Sequence, residues 1–185
     1  MIYLIRHGLD DETKIGGYSN VGLTEVGIKQ IYDTAQYIKN KDFKIDKIIS
    51  SDIIRARESS NILSNILNLD IEYTSLLREL DKGDLTGMDK NIAKIKYPKY
   101  FDNLTIYDKY PNGEAMIEFY NKIKNRLEYI MSLDNTLLVT HRGVINMIYY
   151  ILNDIPVDMD KKRFGVTHAS LHELDAVKRK IKKIK

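Results

Sequence analysis

The chain has 185 residues, 43% apolar and 30% charged, a size and balance that suit one domain with a substantial core and no disordered composition. It contains no Cys, which excludes a disulfide framework, a thiolate nucleophile and a zinc–cysteine site and favours a cytoplasmic location. The net charge of +3 is a property of the tail: residues 178–185 hold six basic side chains and no acidic one, and the remainder carries 23 basic against 26 acidic residues. The tail is therefore read as a solvated last strand or a frayed terminus, and neither nucleic acid nor membrane is expected as a partner. No apolar run approaches the ~18 residues of a membrane span, and the first apolar run, interrupted by Arg6, is too short for a signal peptide.

In chain order, residues 1–7 predict a strand that stops abruptly at Arg6-His7-Gly8. Ile28, Ile31, Tyr32, Ala35 and Ile38 follow helical spacing, with Thr24 as N-cap. Residues 47–50 predict a second strand, and Ala56, Leu63, Ile66 and Leu67 mark a second helix face. Residues 71–73 predict a third strand. Residues 81–110 differ, with Tyr97, Tyr100, Phe101, Tyr107 and Tyr110 among lysines and little periodicity; they are read as a cap-like excursion over one sheet edge. Met116, Phe119, Tyr120, Ile123, Leu127 and Ile130 define the longest helix, residues 136–140 a β-branched apolar strand, and Val144, Met147, Ile148 and Ile151 a helix ending before Pro156. Residues 170–175 predict an outer strand. The alternation argues for an α/β three-layer sandwich with a mostly parallel central sheet, forming one domain over residues 1–185.

In such a fold ligands bind at the carboxyl ends of the strands. The first strand delivers Arg6 and His7 there, the second is followed closely by Arg55, the third leads to Glu79, and the later strand ends at His141. Two histidines, two arginines and a glutamate thus converge from four segments. A guanidinium beside an imidazole suits a phosphate, since one binds oxygens while the other attacks phosphorus. Gly8 permits a sharp turn and close backbone approach.

Taken in order, these blocks resemble the histidine phosphatase superfamily, also called phosphoglycerate mutase-like (branch 1). Arg6-His7-Gly8 matches its signature; Val21-Gly22-Leu23-Thr24-Glu25-Val26-Gly27 is similar to its helix start, and Ser50-Ser51-Asp52-Ile53-Ile54-Arg55-Ala56 to its second block. Leu77-Arg78-Glu79-Leu80, Pro111-Asn112-Gly113-Glu114 and Val139-Thr140-His141-Arg142-Gly143-Val144-Ile145 complete the series. The resemblance implies that His7 is phosphorylated, that Arg6, Arg55 and His141 surround the phosphoryl oxygens, and that Glu79 protonates the leaving oxygen and then activates water. Arg57 and Arg78 are left as structural, and His168 and His172 as strand or loop residues, although His168 lies where the chain can return near the site.

Three departures from the family pattern bear on the site. The loop after Gly8 lacks the asparagine that many relatives use on phosphate; Lys14 or Asn20 is the substitute considered, and Asn20 is carried forward as a phosphate-binding candidate. Arg142 occupies a position that is often small and is added as a further phosphate-binding cation. Ala115 replaces a common serine. The expected activity is hydrolysis of a small phosphorylated metabolite without metal or cofactor. A cofactor-dependent phosphoglycerate mutase is the alternative, ahead of a two-histidine, one-carboxylate metal enzyme and a non-catalytic phospho-ligand module. A homodimer is left open.

Overall fold

Along the first strand, Ile2 and Leu4 turn to one side and Tyr3 and Ile5 to the other, and each pair enters a separate apolar cluster. That two-sided burial is what a central strand between two helical layers requires. The computed structural model describes residues 1–185, and its sheet runs β3-β2-β4-β1-β5-β6. The strands are β1 (Ile2–Arg6), β2 (Lys47–Ser51), β3 (Ile71–Thr74), β4 (Thr136–Thr140), β5 (Leu171–Asp175) and β6 (Lys180–Lys183). The first four are mutually parallel, whereas β5 is antiparallel to β1 and to β6.

The helices α1 (Glu25–Asn40) and α2 (Ile54–Leu67) cover one face; Ile31, Ala35, Ala56 and Leu63 meet Tyr3, Ile5, Ile48 and Val139 there. On the opposite face, α5 (Met116–Ser132) and α6 (Arg142–Leu152) pack Phe119, Ile123, Val144 and Ile148 against Ile2, Leu4, Ile49 and Leu138. The observed architecture is thus the α/β sandwich expected, with a six-stranded, mostly parallel sheet at its centre. Thr24 caps α1 as anticipated, its Oγ1 accepting from the Gly27 N–H at 3.1 Å.

Two local expectations are corrected. Ile28 and Tyr32 are about half exposed, and the buried stripe of α1 runs through Gly27, Ile31, Thr34, Ala35 and Ile38. The small residues in that stripe let the helix sit close to the sheet, and a reading by hydrophobicity passes over them. The strand at the chain end is not the outer one: β5 lies between β1 and β6, and the lysine-rich tail supplies the edge. Lysines on an edge strand hinder pairing with another chain.

The stretch between Glu79 and α5 contains two short helices, α3 (Lys90–Lys96) and α4 (Lys99–Asp102). Met88, Tyr97, Tyr100, Leu104 and Ile106 pack it onto the α5–α6 side of the core.

Candidate active site

The parallel register pairs Arg6 of β1 with Thr140 of β4. Their successors, His7 and His141, therefore leave the sheet side by side, with ring centroids 5.2 Å apart. The His7 backbone is pinned on both sides: its N–H donates to the Thr140 carbonyl at 3.0 Å, and its own carbonyl accepts from Ala169 N–H at 3.2 Å. Gly8 follows because nothing larger fits. A Cβ there would lie 2.4 Å from the Gly27 carbonyl oxygen, and a Cβ on Gly27 would lie 2.1 Å from the Leu9 carbonyl oxygen. The loop and the first turn of α1 are interlocked through these two glycines.

The His7 ring has one consistent tautomer. Its Nδ1 is 2.7 Å from the Gly8 carbonyl oxygen, which only accepts, so Nδ1 carries the proton. Nε2 then holds the lone pair and accepts from Arg55 Nε at 3.2 Å. Burial, followed by the Arg55 charge, pushes the His7 pKa well below the ordinary imidazole value. The ring is neutral and nucleophilic at Nε2.

Arg55 sits in the first turn of α2 and is 2% exposed. One terminal nitrogen donates to Ser19 Oγ at 3.2 Å and the other to the Gly17 carbonyl at 2.9 Å; its Nε also lies 3.4 Å from Asp10 Oδ2. Arg6 donates from Nη1 to the Val166 carbonyl at 3.1 Å and from Nη2 to His168 Nε2, while its Nε is buried without a partner. Burial, then the nearby Arg142, lowers the Arg6 pKa to about 10, so it keeps its charge at neutral pH. The two buried guanidiniums are flanked by Asp10 and Glu79, and the basic side chains lining their cavity outnumber the acidic ones.

His141 is fully buried at the N-cap of α6. Its Nε2 lies 2.8 Å from Ser51 Oγ, and that oxygen already accepts from Ile53 N–H at 3.4 Å. The serine hydroxyl is thus free to donate to Nε2, which leaves the unpartnered His141 Nδ1 as an N–H beside His7. Glu79 is held by two backbone amides: Oε1 accepts from Leu80 N–H at 2.9 Å and Oε2 from Gly143 N–H at 3.1 Å. The Pro111–Glu114 block steadies this turn from behind. Glu114 accepts from Asp81 N–H at 2.8 Å, and a Cβ on Gly83 (φ 49°) would collide with the Pro111 carbonyl oxygen.

Arg6, His7, Arg55, Glu79 and Arg142 all line one cavity of about 320 Å³. Tyr100, Phe101 and Tyr110 of the 81–110 stretch form part of its wall. Asn20 does not belong to this cavity. It is exposed and lines a separate cleft with Tyr18, Asp52, Arg57 and Arg78, because its neighbour Ser19 is the residue turned inward, onto Arg55. Lys14 does line the cavity, but its ammonium pairs with Asp89 at 3.5 Å. Arg78 forms a two-pronged pair with Asp52, and Arg57 stacks over Tyr73.

Sequence reasoning missed Asp10, Lys82 and Lys161, and it left His168 as a strand or loop residue while noting that its segment can return near the site. Asp10 stands three residues after His7, close enough to be examined on spacing alone. His168, 14% exposed in its side chain, reaches the site because its segment returns beside β1, with its ring 5.8 Å from that of His7. Burial and the Arg6 charge lower its pKa to about 3. His172, by contrast, is buried away from the cavity between Tyr149 and Ser170. No group of three or more His, Asp or Glu side chains is arranged to hold a metal ion, and no helix is long and apolar enough to cross a membrane.

Comparison with known proteins places these features in context. Residues 2–184 match the family described as the histidine phosphatase superfamily (branch 1). A Yersinia pestis (strain Pestoides F) protein named "Probable phosphoglycerate mutase GpmB" is 28% identical over 183 residues, covering 94% of this chain and 84% of that protein. Among solved structures, the alpha-ribazole phosphatase from Shigella flexneri superposes with a TM-score of 0.80 at 20% identity, over 99% of this chain and 94% of the other. The mycobacterial glucosyl-3-phosphoglycerate phosphatase in complex with VO3 gives a TM-score of 0.77 at 20% identity, over 94% and 92%. At these identities the structural matches show a common fold.

Proposed function

Because the chain belongs to the histidine phosphatase superfamily (branch 1), we propose that it hydrolyses a small phosphate monoester through a phosphohistidine on His7. The observation that carries this reading is the tautomer lock: the Gly8 carbonyl holds the proton on Nδ1 and leaves Nε2 as a buried lone pair beside Arg55.

Phosphoryl transfer asks the protein mainly to position groups and to stabilise charge. On substrate binding, the Arg55 Nε–H passes from His7 Nε2 to a phosphoryl oxygen and frees the lone pair. Nε2 then attacks phosphorus, the P–O bond to the alcohol breaks, and the leaving oxygen takes a proton from the Glu79 carboxyl. Arg6, Arg55 and the free N–H of His141 spread the charge on the equatorial oxygens, which is the role a metal ion plays in other phosphoryl-transfer sites. In the second half, Glu79 takes a proton from water. The hydroxide attacks phosphorus, the P–N bond breaks, and inorganic phosphate leaves with His7 neutral again. A phosphoglycerate mutase would use the same first step and then return the phosphoryl group to an acceptor alcohol.

The test is turnover of p-nitrophenyl phosphate together with trapping of acid-labile phosphate. The wild type is expected to release nitrophenol, to be inhibited by vanadate, and to carry label on His7; His7→Ala is expected to do neither chemistry step. Retained turnover in His7→Ala overturns the reading. Phosphoglycerate isomerisation that depends on a bisphosphorylated primer, and exceeds hydrolysis, assigns the mutase alternative.

A further inference from the structure

One short segment grips Arg6 at three points. The Arg6 backbone N–H donates to the Ser170 carbonyl at 3.2 Å, its Nη1 donates to the Val166 carbonyl at 3.1 Å, and its Nη2 donates to His168 Nε2. Residues 166, 168 and 170 thus alternate along one stretch and all meet the same arginine. The stretch is itself tied down. Ala169 N–H donates to the His7 carbonyl at 3.2 Å, and the Ala169 carbonyl accepts from Thr34 Oγ1 at 3.0 Å. Ala169, directly after His168, has a φ of 54°, in the left-handed region that a residue with a Cβ seldom adopts. Backbone in that region costs free energy and persists where the surroundings over-determine it.

The two side-chain contacts of Arg6 are both to neutral acceptors, a carbonyl and an imidazole. A guanidinium only donates, so His168 Nε2 carries a lone pair and the ring proton is on Nδ1. Burial, then the charges of Arg6, Arg142 and Arg55, lowers the His168 pKa to about 3 and keeps the ring neutral. Asp10 Oδ1 and Glu12 Oε1 lie 3.8 and 4.0 Å from the same nitrogen, beyond hydrogen-bond reach. Asp10, Glu12 and Glu79 act on Arg6 only from longer range, whereas Asp10 approaches Arg55 at 3.4 Å. A carboxylate in place of the His168 ring would hold Arg6 as firmly but would cancel charge that a phosphoryl group needs. A neutral acceptor orients the guanidinium and leaves its charge free, with the buried, unpartnered Nε as a donor for an incoming oxygen. His168 does not line the cavity, so it acts through Arg6 and not on the substrate.

Resting on the phosphatase reading, we propose that His168 is a positioning residue, a neutral imidazole that holds Arg6 toward the phosphoryl group without neutralising it.

The test compares His168→Gln, which keeps a neutral acceptor, His168→Ala, which removes it, and His168→Glu, which makes it anionic. Thermal melts establish that each is folded. Binding of inorganic phosphate is followed by titration calorimetry, and p-nitrophenyl phosphate turnover is measured in parallel. His168→Gln is expected to stay within about threefold of wild type, and His168→Ala to lose about tenfold or more in both phosphate affinity and kcat/KM, the usual scale for a hydrogen bond to a charged group. His168→Glu is expected to bind phosphate more weakly than His168→Ala. Equal losses in the Gln and Ala variants, or an Ala variant equal to wild type, overturn the acceptor role; a Glu variant equal to the Gln variant overturns the need for neutrality. A nitrogen–proton multiple-bond correlation spectrum of the wild type decides the point independently of any variant: His168 is expected to show a protonated Nδ1 and a bare Nε2 at neutral pH, and a protonated Nε2 overturns the proposal. Wild-type turnover with an unimpaired Ala variant removes the positioning role alone. Phosphate binding in the expected order without ester turnover removes the phosphatase reading alone, and absence of both phosphate binding and turnover in the wild type removes both.

Discussion

Glu79 and Gly143 are fitted to each other. The Glu79 Oε2 accepts from Gly143 N–H at 3.1 Å, and a Cβ on Gly143 would stand 2.0 Å from Oε1 of the same carboxylate. The residue two positions beyond the His141 cap therefore sets where the Glu79 carboxyl group lies, and the two halves of the site, the β4–α6 turn and the turn after β3, are coupled through one amide.

Gly143→Ala is expected to push the Glu79 carboxyl aside while keeping the helix, since Ala favours helical backbone more than Gly does. With an alkyl phosphate the leaving oxygen needs a proton, and kcat is expected to fall by about 10²-fold or more. With p-nitrophenyl phosphate the leaving group departs readily as an anion, and the loss is expected to be much smaller. Steady-state kinetics on both esters checks this; an equal loss on the two would remove Glu79 from the proton-donor role.

Arg55→Lys retains a positive charge but not the planar fork that reaches His7, Ser19 and Gly17 at once. Its kcat/KM is expected to drop by about 10²–10³-fold, the usual cost of losing a positioned donor at a developing charge. Activity within a fewfold of wild type would mean that charge alone suffices there.

Asp10 lies 3.4 Å from Arg55 and offsets part of the positive charge that a phosphoryl group meets. Removing that carboxylate by Asp10→Asn is expected to tighten inhibition by inorganic phosphate about fivefold, the effect of roughly 1 kcal/mol of like-charge repulsion at contact distance in a wet site. Weaker inhibition would show instead that Asp10 serves to orient Arg55.

Stability is expected to fall on acidification, and His172 makes a measurable part of that fall. It is fully buried, and burial followed by the Lys183 charge lowers its pKa to about 4. Between the ordinary imidazole value of about 6.5 and pH 4, the unfolded chain binds a proton that the folded chain refuses. Unfolding free energy therefore rises with pH across this window, by about 1.4 kcal/mol per pH unit for one such group. Denaturant titrations between pH 4 and 7 on the wild type and His172→Gln are expected to show a shallower slope in the variant. Identical slopes would assign the acid sensitivity to His7, His141 and His168.

Much of the frame was legible because it depends on short-range pattern. The β4 run ends where the structure ends it, the first strand stops at Arg6, one residue before the expected end, and Thr24 caps α1 because its spacing to Gly27 is a local property. His7, Arg6, Arg55, Glu79 and His141 were legible for a related reason: they sit at or just beyond strand ends, and in a parallel sheet all such ends face one way. Ile28 and Tyr32 misled, since hydrophobicity alone cannot tell which side of an amphipathic helix meets the sheet when small residues occupy the contact.

The amino-acid sequence by itself thus determined the alternating elements, the layered sheet and the five residues at its carboxyl edge, each fixed by periodicity or by position within a few residues of a strand end. Only the tertiary structure decided which loop side chains join them. Ser19 rather than Asn20 turns inward, His168 is carried back to Arg6 from a segment 162 residues away, and Lys82 and Lys161 line the same cavity as Arg142. Those placements follow from how loops between distant elements are packed and where their backbone hydrogen bonds are satisfied, and no local pattern in the chain encodes a contact of that range.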